Sequence, residues 1–436
     1  MKRIAPLFLL FFAPLLQAQD LMTIYQLAQQ NDPQLKAVRE QLAATRETKT
    51  QAWARLLPTI GLSASYDAIR QDIQSSPFGG NEGISHFNNR DLGLNLSMPV
   101  YRRDFLVQLD QADNTIAEAE AKLAAAQIDL MLRSTTAYFN ILSAKDDLRV
   151  AKAEQEANKR QLEQAKQRFD VGLIAITDVH EAQASYDAAR AAEIGAENSL
   201  DNAWEALLEI IGPQPQGGLA SLGKGLRLQT PEPNDLQSWS DTAQQQNFDI
   251  IAARNQLESA RQEIEVNRSG HYPTLDLVGG YQLNRSTNEF SSESDTTSIG
   301  LQLDLPIYTG GGVTSRTQQA RATYRATQQS LDQTRRSVNR QVRDAFRGVL
   351  STISRVKALQ AATVSAKSAL ESTEAGYEVG TRTIVDVLDV QRNLFSSQRD
   401  YLRSRYDYII NGFKLKAATG NLAVEDLQRV NGWLEH

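Results

Sequence analysis

Hydrophobic positions along this chain follow two different periods, and the period changes at prolines. Over residues 20–57, apolar side chains recur every three or four positions, as on one face of an amphipathic helix. Pro58 ends this pattern, and beyond it apolar residues alternate with Gly, Ser and Thr, as in a strand with one apolar face. The alternation returns over residues 92–98 and ends at Pro99. We therefore predict a helix followed by two strands.

A long helical pattern comes next. Between residues 102 and 168 the chain contains no proline or glycine, and apolar residues keep a spacing of three and four that is typical of a coiled-coil seam. At 1.5 Å per residue this helix is about 100 Å long, so it must pack along a neighbour of similar length. A glycine-containing reversal follows, and a second helix runs from about residue 177 to 211, where Gly212 and Pro213 end it. The pattern predicts a long helical hairpin.

The second half of the chain repeats the first. Pro-Thr-Leu at 273–275 corresponds to Pro-Thr-Ile at 58–60, and two more alternating stretches precede another pair of helical patterns. The two hairpin tips align on their Val-Gly and Asp-Val pairs, with Gly172 and Gly380 separated by 208 residues. A duplicated unit of this size predicts internal pseudo-twofold symmetry.

The N-terminus has the pattern of a secretory signal, because Lys2 and Arg3 precede an apolar run that ends in small residues. We expect cleavage after Ala18. The predicted segments of the chain are a signal peptide (1–18), a first helical segment (19–57), the first strand pair (58–101), the first helical hairpin (102–211), a Gly- and Pro-rich linker (212–235), a second helical segment (236–272), the second strand pair (273–308), the second helical hairpin (309–420) and a C-terminal segment (421–436).

Composition limits how the protein can meet a membrane. The chain has no cysteine, which excludes disulfides, thiol chemistry and a lipid-modified N-terminal cysteine. Past residue 18 no apolar run approaches the roughly 20 residues of a membrane-spanning helix, so a membrane span must be built from strands. Four strands of about ten residues cannot close a barrel, so we expect several chains to combine. Two chains would leave a lumen filled by side chains, whereas three would leave room for an open pore. A net charge of −6 without a basic patch argues against nucleic acid as a partner.

Three stretches give the chain a family resemblance. They are Val-Gly-Leu-Ile-Ala-Ile-Thr-Asp-Val at 171–179, Leu-Pro-Ile-Tyr at 305–308 and Gly-Tyr-Glu-Val-Gly-Thr-Arg-Thr-Ile-Val-Asp-Val-Leu-Asp at 376–389. With these stretches the chain resembles the outer membrane factor family, the channel components of multidrug efflux pumps and type I secretion systems. The resemblance implies a mixed α and β fold: a homotrimeric 12-stranded β-barrel in the Gram-negative outer membrane, continued by a coiled-coil α-barrel through the periplasm. It assigns 19–57 and 236–272 to an equatorial belt.

The resemblance also implies partners and a mode of action. A member of this family is a passive conduit without a cofactor or metal, embedded in outer-membrane lipid and opened at its helical tips. The implied protein partners are a periplasmic adaptor and an inner-membrane transporter of the RND, ABC or MFS type. Adaptor docking is expected at the hairpin tips, on Val171, Gly172, Leu173, Val379, Gly380 and Thr381.

The family's periplasmic gate corresponds here to Thr177, Asp178, Tyr377 and Arg382. An Arg–carboxylate pair contributes little when exposed, but several links repeated around a threefold axis could close an entrance that a partner can still open. The alternative is that Thr177 caps a helix and Asp178 is only a first-turn acid, an arrangement so common that it ranks first when the resemblance is set aside.

Asp386 and Asp389 lie three residues apart on one helical face. The resemblance places both at the narrowest point of the entrance, where six carboxylates per trimer would favour cations. The alternative is a capping box between Thr383 and Asp386, which explains Asp386 but leaves Asp389 without a role.

Two other classes of protein fit less well. The four histidines have no metal-ligand spacing, no phosphate-binding loop is present, and two carboxylates on adjacent turns of one helix rarely flank a substrate, so we do not expect an enzyme. A structural coiled-coil protein of the cell envelope would account for the helices, but not for four amphipathic strands bounded by prolines. Solubility of the mature chain without detergent would favour either of these classes.

Overall fold

The computed structural model describes residues 19–74, 83–215, 217–223, 225–287 and 292–435. The signal peptide predicted at 1–18 lies outside the described residues. The helices are α1 (Leu21–Asn31), α2 (Pro33–Ala54), α3 (Arg103–Asp170), α4 (Ile176–Ile211), α5 (Leu236–Gln246), α6 (Phe248–Arg268), α7 (Gly312–Glu378), α8 (Ile384–Thr419) and α9 (Val424–Asn431). The strands are β1 (Thr59–Ile73), β2 (Gly83–Tyr101), β3 (Ser221–Leu222), β4 (Thr274–Ser286), β5 (Glu293–Asp304) and β6 (Leu434–Glu435).

The described residues form two compact units. One unit comprises residues 40–121 and 251–334, and the other comprises the residues up to 39, residues 122–250 and the residues from 335 onward. The first of these contains the four long strands, and the second contains both hairpin tips.

The four long strands form one antiparallel sheet in the order β1-β2-β4-β5, so the two predicted strand pairs are joined through β2 and β4. The strands have 12 to 19 residues, more than the ten or so expected. Their register places Ile60 opposite Leu96 and Leu277 opposite Leu301, so apolar residues from all four strands share one face. That face remains exposed, with Leu62 at 73% and Ile299 at 78% of full accessibility. An apolar surface of this extent needs an apolar partner or solvent.

The two shorter helical segments each contain a break at the same place in the repeat. Asp32 ends α1, and its carboxylate accepts the backbone N–H of Leu35 at 2.7 Å in the first turn of α2. Asn247 ends α5, and its side-chain oxygen accepts the N–H groups of Asp249 and Ile250 at 3.0 and 3.2 Å in α6. Segments 19–57 and 236–272 therefore hold two helices each, not the single predicted one, because a side chain in each takes over the capping of a new helix.

The core of the helical unit surrounds Tyr138 and Phe139 of α3, both fully buried. The Tyr138 hydroxyl donates to the carbonyl of Ala220 at 2.8 Å, and the Phe139 ring lies 6.0 Å from that of Tyr406 in α8. The Tyr406 hydroxyl in turn donates to Asp146 at 2.7 Å. Within the described residues, no helix has both the length and the apolar character needed to cross a membrane.

Candidate functional site: the two hairpin tips

The first tip (tip 1, residues 171–175) is a tight reversal between α3 and α4. Gly172 has a φ of +76°, a conformation that a residue with a Cβ adopts only with strain. Its N–H donates to the carbonyl of Phe169 at 2.8 Å, and the N–H of Leu173 donates to that of Arg168 at 2.9 Å. These bonds satisfy the last carbonyls of α3, as in other helices that end at a left-handed glycine.

The second tip (tip 2, residues 379–383) repeats this reversal between α7 and α8. Gly380 has a φ of +79°, and the N–H groups of Thr381 and Arg382 both donate to the carbonyl of Gly376, at 2.8 and 3.2 Å. Gly376 itself is required by space, because a Cβ there would lie 2.8 Å from Cγ of Arg382. The matching Val-Gly pairs in the sequence thus reflect one turn geometry used twice.

Apolar side chains project from both tips without cover. Val171 and Leu173 of tip 1 and Val379 of tip 2 are each about 70% accessible or more, although larger apolar side chains are normally buried. Each tip therefore presents exposed apolar surface beside a well-formed turn.

Tip 2 leads into a helix whose start is fully capped. The Thr383 hydroxyl lies 3.3 Å from the N–H of Asp386, which donates to it, and the Asp386 carboxylate accepts the N–H of Thr383 at 2.9 Å. The predicted capping box is therefore confirmed. Hydrogen bonds from the backbone and then the hydroxyl of Thr383, together with the nearby charge of Arg382, lower the pKa of Asp386 below its usual value.

Tip 1 leads into a helix without a side-chain cap. Its cap position is Ala175, which has no oxygen to offer, and Thr177 is the second residue of α4. The alternative in which Thr177 is the cap is therefore wrong, whereas Asp178 does lie in the first turn as an acidic residue. In the described part of the chain the Asp178 carboxylate makes no hydrogen bond or ion pair.

In the part of the chain that the structure describes, the four predicted gate residues are not bonded to one another. Among the described residues, neither a hydrogen bond nor an ion pair joins Asp178 to Tyr377 or Arg382. The two hairpins meet instead through Arg168, whose guanidinium lies 4.7 Å from the ring centre of Tyr377. Sequence analysis missed Arg168, because a basic residue in the last turn of a helix is common for its favourable interaction with the helix dipole.

Asp389, the second residue of the predicted carboxylate ring, lies about one turn beyond Asp386. It accepts a hydrogen bond from Arg392 at 3.0 Å, and both side chains are more than half exposed. Asp386 and Asp389 thus differ locally, since the first is held by the backbone at the helix start and the second by an exposed ion pair on the helix surface.

Above the tips, the contact within a hairpin differs from the contact between hairpins. Leu162, Ala165, Val179 and Ala182 form an apolar core between α3 and α4. Between α3 and α8, by contrast, the buried side chain of Gln391 donates to Asn158 at 2.8 Å.

The polar contact between α3 and α8 continues with half-buried acids. Burial raises the pKa values of Asp147 and Glu154 on α3, against the attraction of Arg399 on α8. No sequence periodicity distinguishes these polar positions from an ordinary solvated face, and they were not predicted. The described residues contain no group of three or more acidic or histidine side chains suited to a metal ion.

Comparison with known proteins places this geometry in a family. A family model described as outer membrane efflux protein matches residues 24–213 and 239–421. The chain is 40% identical to the outer membrane protein TolC of Vibrio cholerae, over all of this chain and 99% of that protein. It is also similar to the TolC of Escherichia coli, at 35% identity over all of this chain and 90% of that protein. The alkaline protease secretion protein AprF of Pseudomonas aeruginosa is 26% identical over 95% of this chain and 87% of its own.

Solved structures agree with the fold. The chain superimposes on the Campylobacter jejuni CmeC outer membrane channel with a TM-score of 0.81 and 18% identity, covering 96% of this chain and 91% of that one. The outer membrane protein VceC of Vibrio cholerae gives a TM-score of 0.77 at 20% identity, covering 92% and 96%. The mixed α and β class with internal duplication is thereby confirmed. Since the family model matches both halves and the Vibrio cholerae TolC aligns over nearly its whole length, the chain belongs to the outer membrane efflux protein family and is an outer-membrane export channel, not an enzyme.

Proposed function

We propose that three copies of the chain form a passive conduit for export, either in a tripartite efflux pump or in a type I secretion system. Four strands from each copy give a 12-stranded barrel, which leaves room for an open pore. The exposed apolar face of the sheet supports this arrangement, because lipid would cover it. Residues 19–57 and 236–272 form the equatorial belt, the two hairpins form the periplasmic α-barrel, and residues 1–18 are removed on export.

The observation that carries the proposal is the carboxylate of Asp178 at tip 1, which makes no hydrogen bond or ion pair to any residue that the structure describes. It is free to accept from the Tyr377 hydroxyl and from Arg382, in the same or a neighbouring copy, with the Thr177 hydroxyl beside it. Each such exposed link contributes only about 0.2–1 kcal/mol, so a set repeated around a threefold axis closes the entrance while a docking partner can still open it.

The carboxylates of Asp386 and Asp389 form the proposed cation-selective ring just above this gate. Asp389 is exposed and Asp386 is half-buried, and the two lie on successive turns of α8. Three copies contribute six carboxylates, and a ring of negative charge around a narrow opening favours cations and binds multivalent ones.

The exposed tips are the proposed docking surface for a periplasmic adaptor. Val171, Leu173 and Val379 supply apolar contacts, while the two glycines allow close approach of a partner's backbone. The conduit itself holds no energy source, so an inner-membrane transporter of the RND, ABC or MFS type supplies it. The similarity to AprF, named for protease secretion, supports protein export beside drug efflux as a cargo class.

Single-channel conductance in a planar bilayer tests the proposal directly. We expect purified trimers of the wild-type chain to form pores of small conductance, and Arg382→Ser to raise that conductance several-fold, because serine is too short to reach the carboxylate of Asp178. Arg190→Ser is the matched control, since Arg190 is an exposed arginine on α4 about 20 Å beyond the start of that helix.

The Arg190→Ser control distinguishes the loss of the gate contact from a general change in surface charge. If Arg190→Ser raised the conductance as much as Arg382→Ser, a general change in surface charge would explain both results and the gate assignment would fall. Folded trimers that form no pores at all would remove the channel itself.

A further inference from the structure

One face of the four-stranded sheet changes from uncharged to charged as the strands approach their turns. The register aligns alternate residues of all four strands on this face. On β4 the face carries no charge from Leu275 to Leu283, a span of about 27 Å at about 3.4 Å per residue. A strand tilt of about 40° reduces this span to about 21 Å of depth, close to the apolar band of about 25 Å in a membrane barrel. The next row toward the turns consists of Tyr66, Arg90, Arg285 and Glu293.

On β1 and β2 the charged part of this face is mostly basic. Arg90 lies opposite Tyr66, and two rows farther on Arg70 lies opposite His86. All four side chains are exposed. Among the residues that the structure describes, Asp72 is the only acid on this face of the two strands. The two strands therefore present two arginines and a histidine against one carboxylate.

The opposite face of the same strands has the opposite charge at the same height. Asp67 and Asp91 lie there, and the side-chain amide of Asn284 donates to Asp91 at 2.5 Å. The Ser65 hydroxyl donates to Asp67 at 3.3 Å. Within the described parts of β1 and β2, this polar face carries no arginine, lysine or histidine. Positive charge thus lies on the side of the apolar band and negative charge on the other side, a separation that solvation alone does not require.

Arg90 is held in place without a protein acceptor for its N–H groups. Its guanidinium lies 5.7 Å from the centre of the Tyr66 ring, a cation–π contact that positions the group but uses none of its N–H donors. In the part of the chain that the structure describes, the side chains of Arg70 and Arg90 make no hydrogen bond or ion pair. Both arginines therefore retain donors for an acceptor from outside the chain.

The next arginine along the row is already paired. Arg285 of β4 lies 2.9 Å from Asp295 and 3.4 Å from Glu293, both on β5. Arg90, by contrast, lies on β2, which has β1 on one side and β4 on the other, so both strands beside it belong to its own chain. A neighbouring copy that pairs with an edge strand, β1 or β5, does not lie beside Arg90 and does not supply the carboxylate that it lacks.

We propose that Arg90 and Arg70, together with His86, bind the phosphate groups of an anionic lipid in the outer leaflet of the outer membrane. The proposal rests on the membrane barrel proposed above and adds the lipid chemistry that its rim recognises. The long helices adjoin the other end of the strands, so a periplasmic position of the hairpins places this end at the cell surface.

Two features favour a lipid as the occupant. The basic row continues directly from the apolar band, so the head groups of lipids that cover the band lie at the level of Tyr66 and Arg90, where aromatic residues mark the membrane interface. The charge is also complementary, because guanidinium groups bind phosphate through paired N–H donors, and a free acidic partner is what the arginines of this face lack.

Lipid binding by purified trimers tests the proposal. The probe is lipid A, a phosphorylated glycolipid, and its dephosphorylated form is the matched control lipid. Trimers in detergent are titrated with either lipid, and native mass spectrometry counts the lipids that they retain. We expect the wild type to prefer the phosphorylated form, and Arg70→Gln with Arg90→Gln to weaken its binding about five-fold for each arginine removed. The control variant is Arg190→Gln with Arg355→Gln, which removes two exposed arginines from the helical hairpins.

Each comparison has a result that would overturn the assignment. Equal binding of lipid A by the wild type and the strand variant would do so, as would an equal loss in the hairpin variant. A wild type that retains both lipids equally would show that phosphate is not the group recognised. Displacement of lipid A by inorganic phosphate at the same concentration would identify a site for the free anion instead of a lipid. The trimeric mass and the conductance are measured on the same samples, so loss of the channel is distinguished from loss of lipid binding.

A salt titration of the wild type provides a second measurement that needs no variant. Salt screens exposed charges, with a screening length of about 30 Å at about 0.01 M and about 8 Å at about 0.15 M ionic strength. We therefore expect the preference for lipid A over its dephosphorylated form to decrease over this range. A preference that does not change with salt would exclude the arginines as its source.

Discussion

The two tips share a turn but differ in how the next helix starts. In both, a glycine with a φ near +80° reverses the chain after a long helix. At tip 2 the following helix begins with Thr383 and Asp386 bonded to each other and to the backbone. At tip 1 the cap residue is Ala175, and the acidic side chain of the first turn, Asp178, is left without a bond in the described residues.

The difference gives the two Asp-Val pairs different surroundings, and the proposed gate depends on that difference. Asp386 stabilises its own helix, so it contributes negative charge at a fixed position but has limited freedom to leave it. Asp178 stabilises α4 only through the helix dipole, and its carboxylate can accept hydrogen bonds from another hairpin. The tip with the weaker helix start is therefore the one with a group available to hold a gate.

The largest effect should come from neutralising the unbonded acid. We expect Asp178→Asn to raise single-channel conductance several-fold, because an amide accepts only weak hydrogen bonds from Arg382 and cannot form the ion pair. Asp386→Asn is the matched change at tip 2, and we expect a closed-state conductance close to that of the wild type. If Asp386→Asn opened the pore as widely as Asp178→Asn, the two acids would not differ in function. The claim that only the acid of tip 1 holds the gate would then be wrong.

An intermediate effect should appear in ion selectivity. We expect Asp386→Asn combined with Asp389→Asn to lower the ratio of cation to anion permeability, measured from the reversal potential in a salt gradient. The loss of Asp389 also leaves the charge of Arg392 uncompensated, which favours anions further. The control is Glu181→Gln with Asp187→Asn, which removes two carboxylates from the first hairpin. Equal reversal potentials for the wild type and the tip 2 variant would exclude the ring.

Much of this architecture followed from the sequence because it rests on local chemistry. Pro58 marks the start of the first strand, and glycines at 172 and 380 mark the turns, since each residue restricts or permits a particular backbone conformation. The capping box at Thr383 could be predicted for the same reason. The expected end at Pro99 is wrong, because β2 continues to Tyr101 through a β-bulge that accommodates the proline. The breaks at Asp32 and Asn247 could also have been found, because an Asp or Asn within a helical pattern can cap a new helix.

The contacts between hairpins could not be predicted in this way. Arg168 on Tyr377 and Asn158 with Gln391 join residues more than 200 positions apart, and each residue type is unremarkable in its own helix. Thr177 was considered as a helix cap because it precedes an acidic residue, but the helix begins one residue before it. Which neighbouring position starts a helix depends on the turn that precedes it, and here the turn at Gly172 places Ala175 at the cap.

The smallest expected effect concerns the stability of the first turns of α4 and α8. It tests whether the two helices differ in how well they are capped. We expect Ala175→Ser to stabilise the first turn of α4 by about 1 kcal/mol, and Thr383→Ala to destabilise that of α8 by a similar amount. Hydrogen–deuterium exchange of the backbone amides in these two turns measures both changes.

The pH dependence of the wild type provides a control. The pKa of Asp386 is lower in the folded protein than in the unfolded chain. The contribution of Asp386 to stability is therefore fully present above the usual carboxyl pKa of about 4, and it is lost as the pH falls through the lower pKa of the folded protein. Acid should therefore weaken protection at tip 2 more than at tip 1, and equal loss at both tips would show that the cap does not distinguish them.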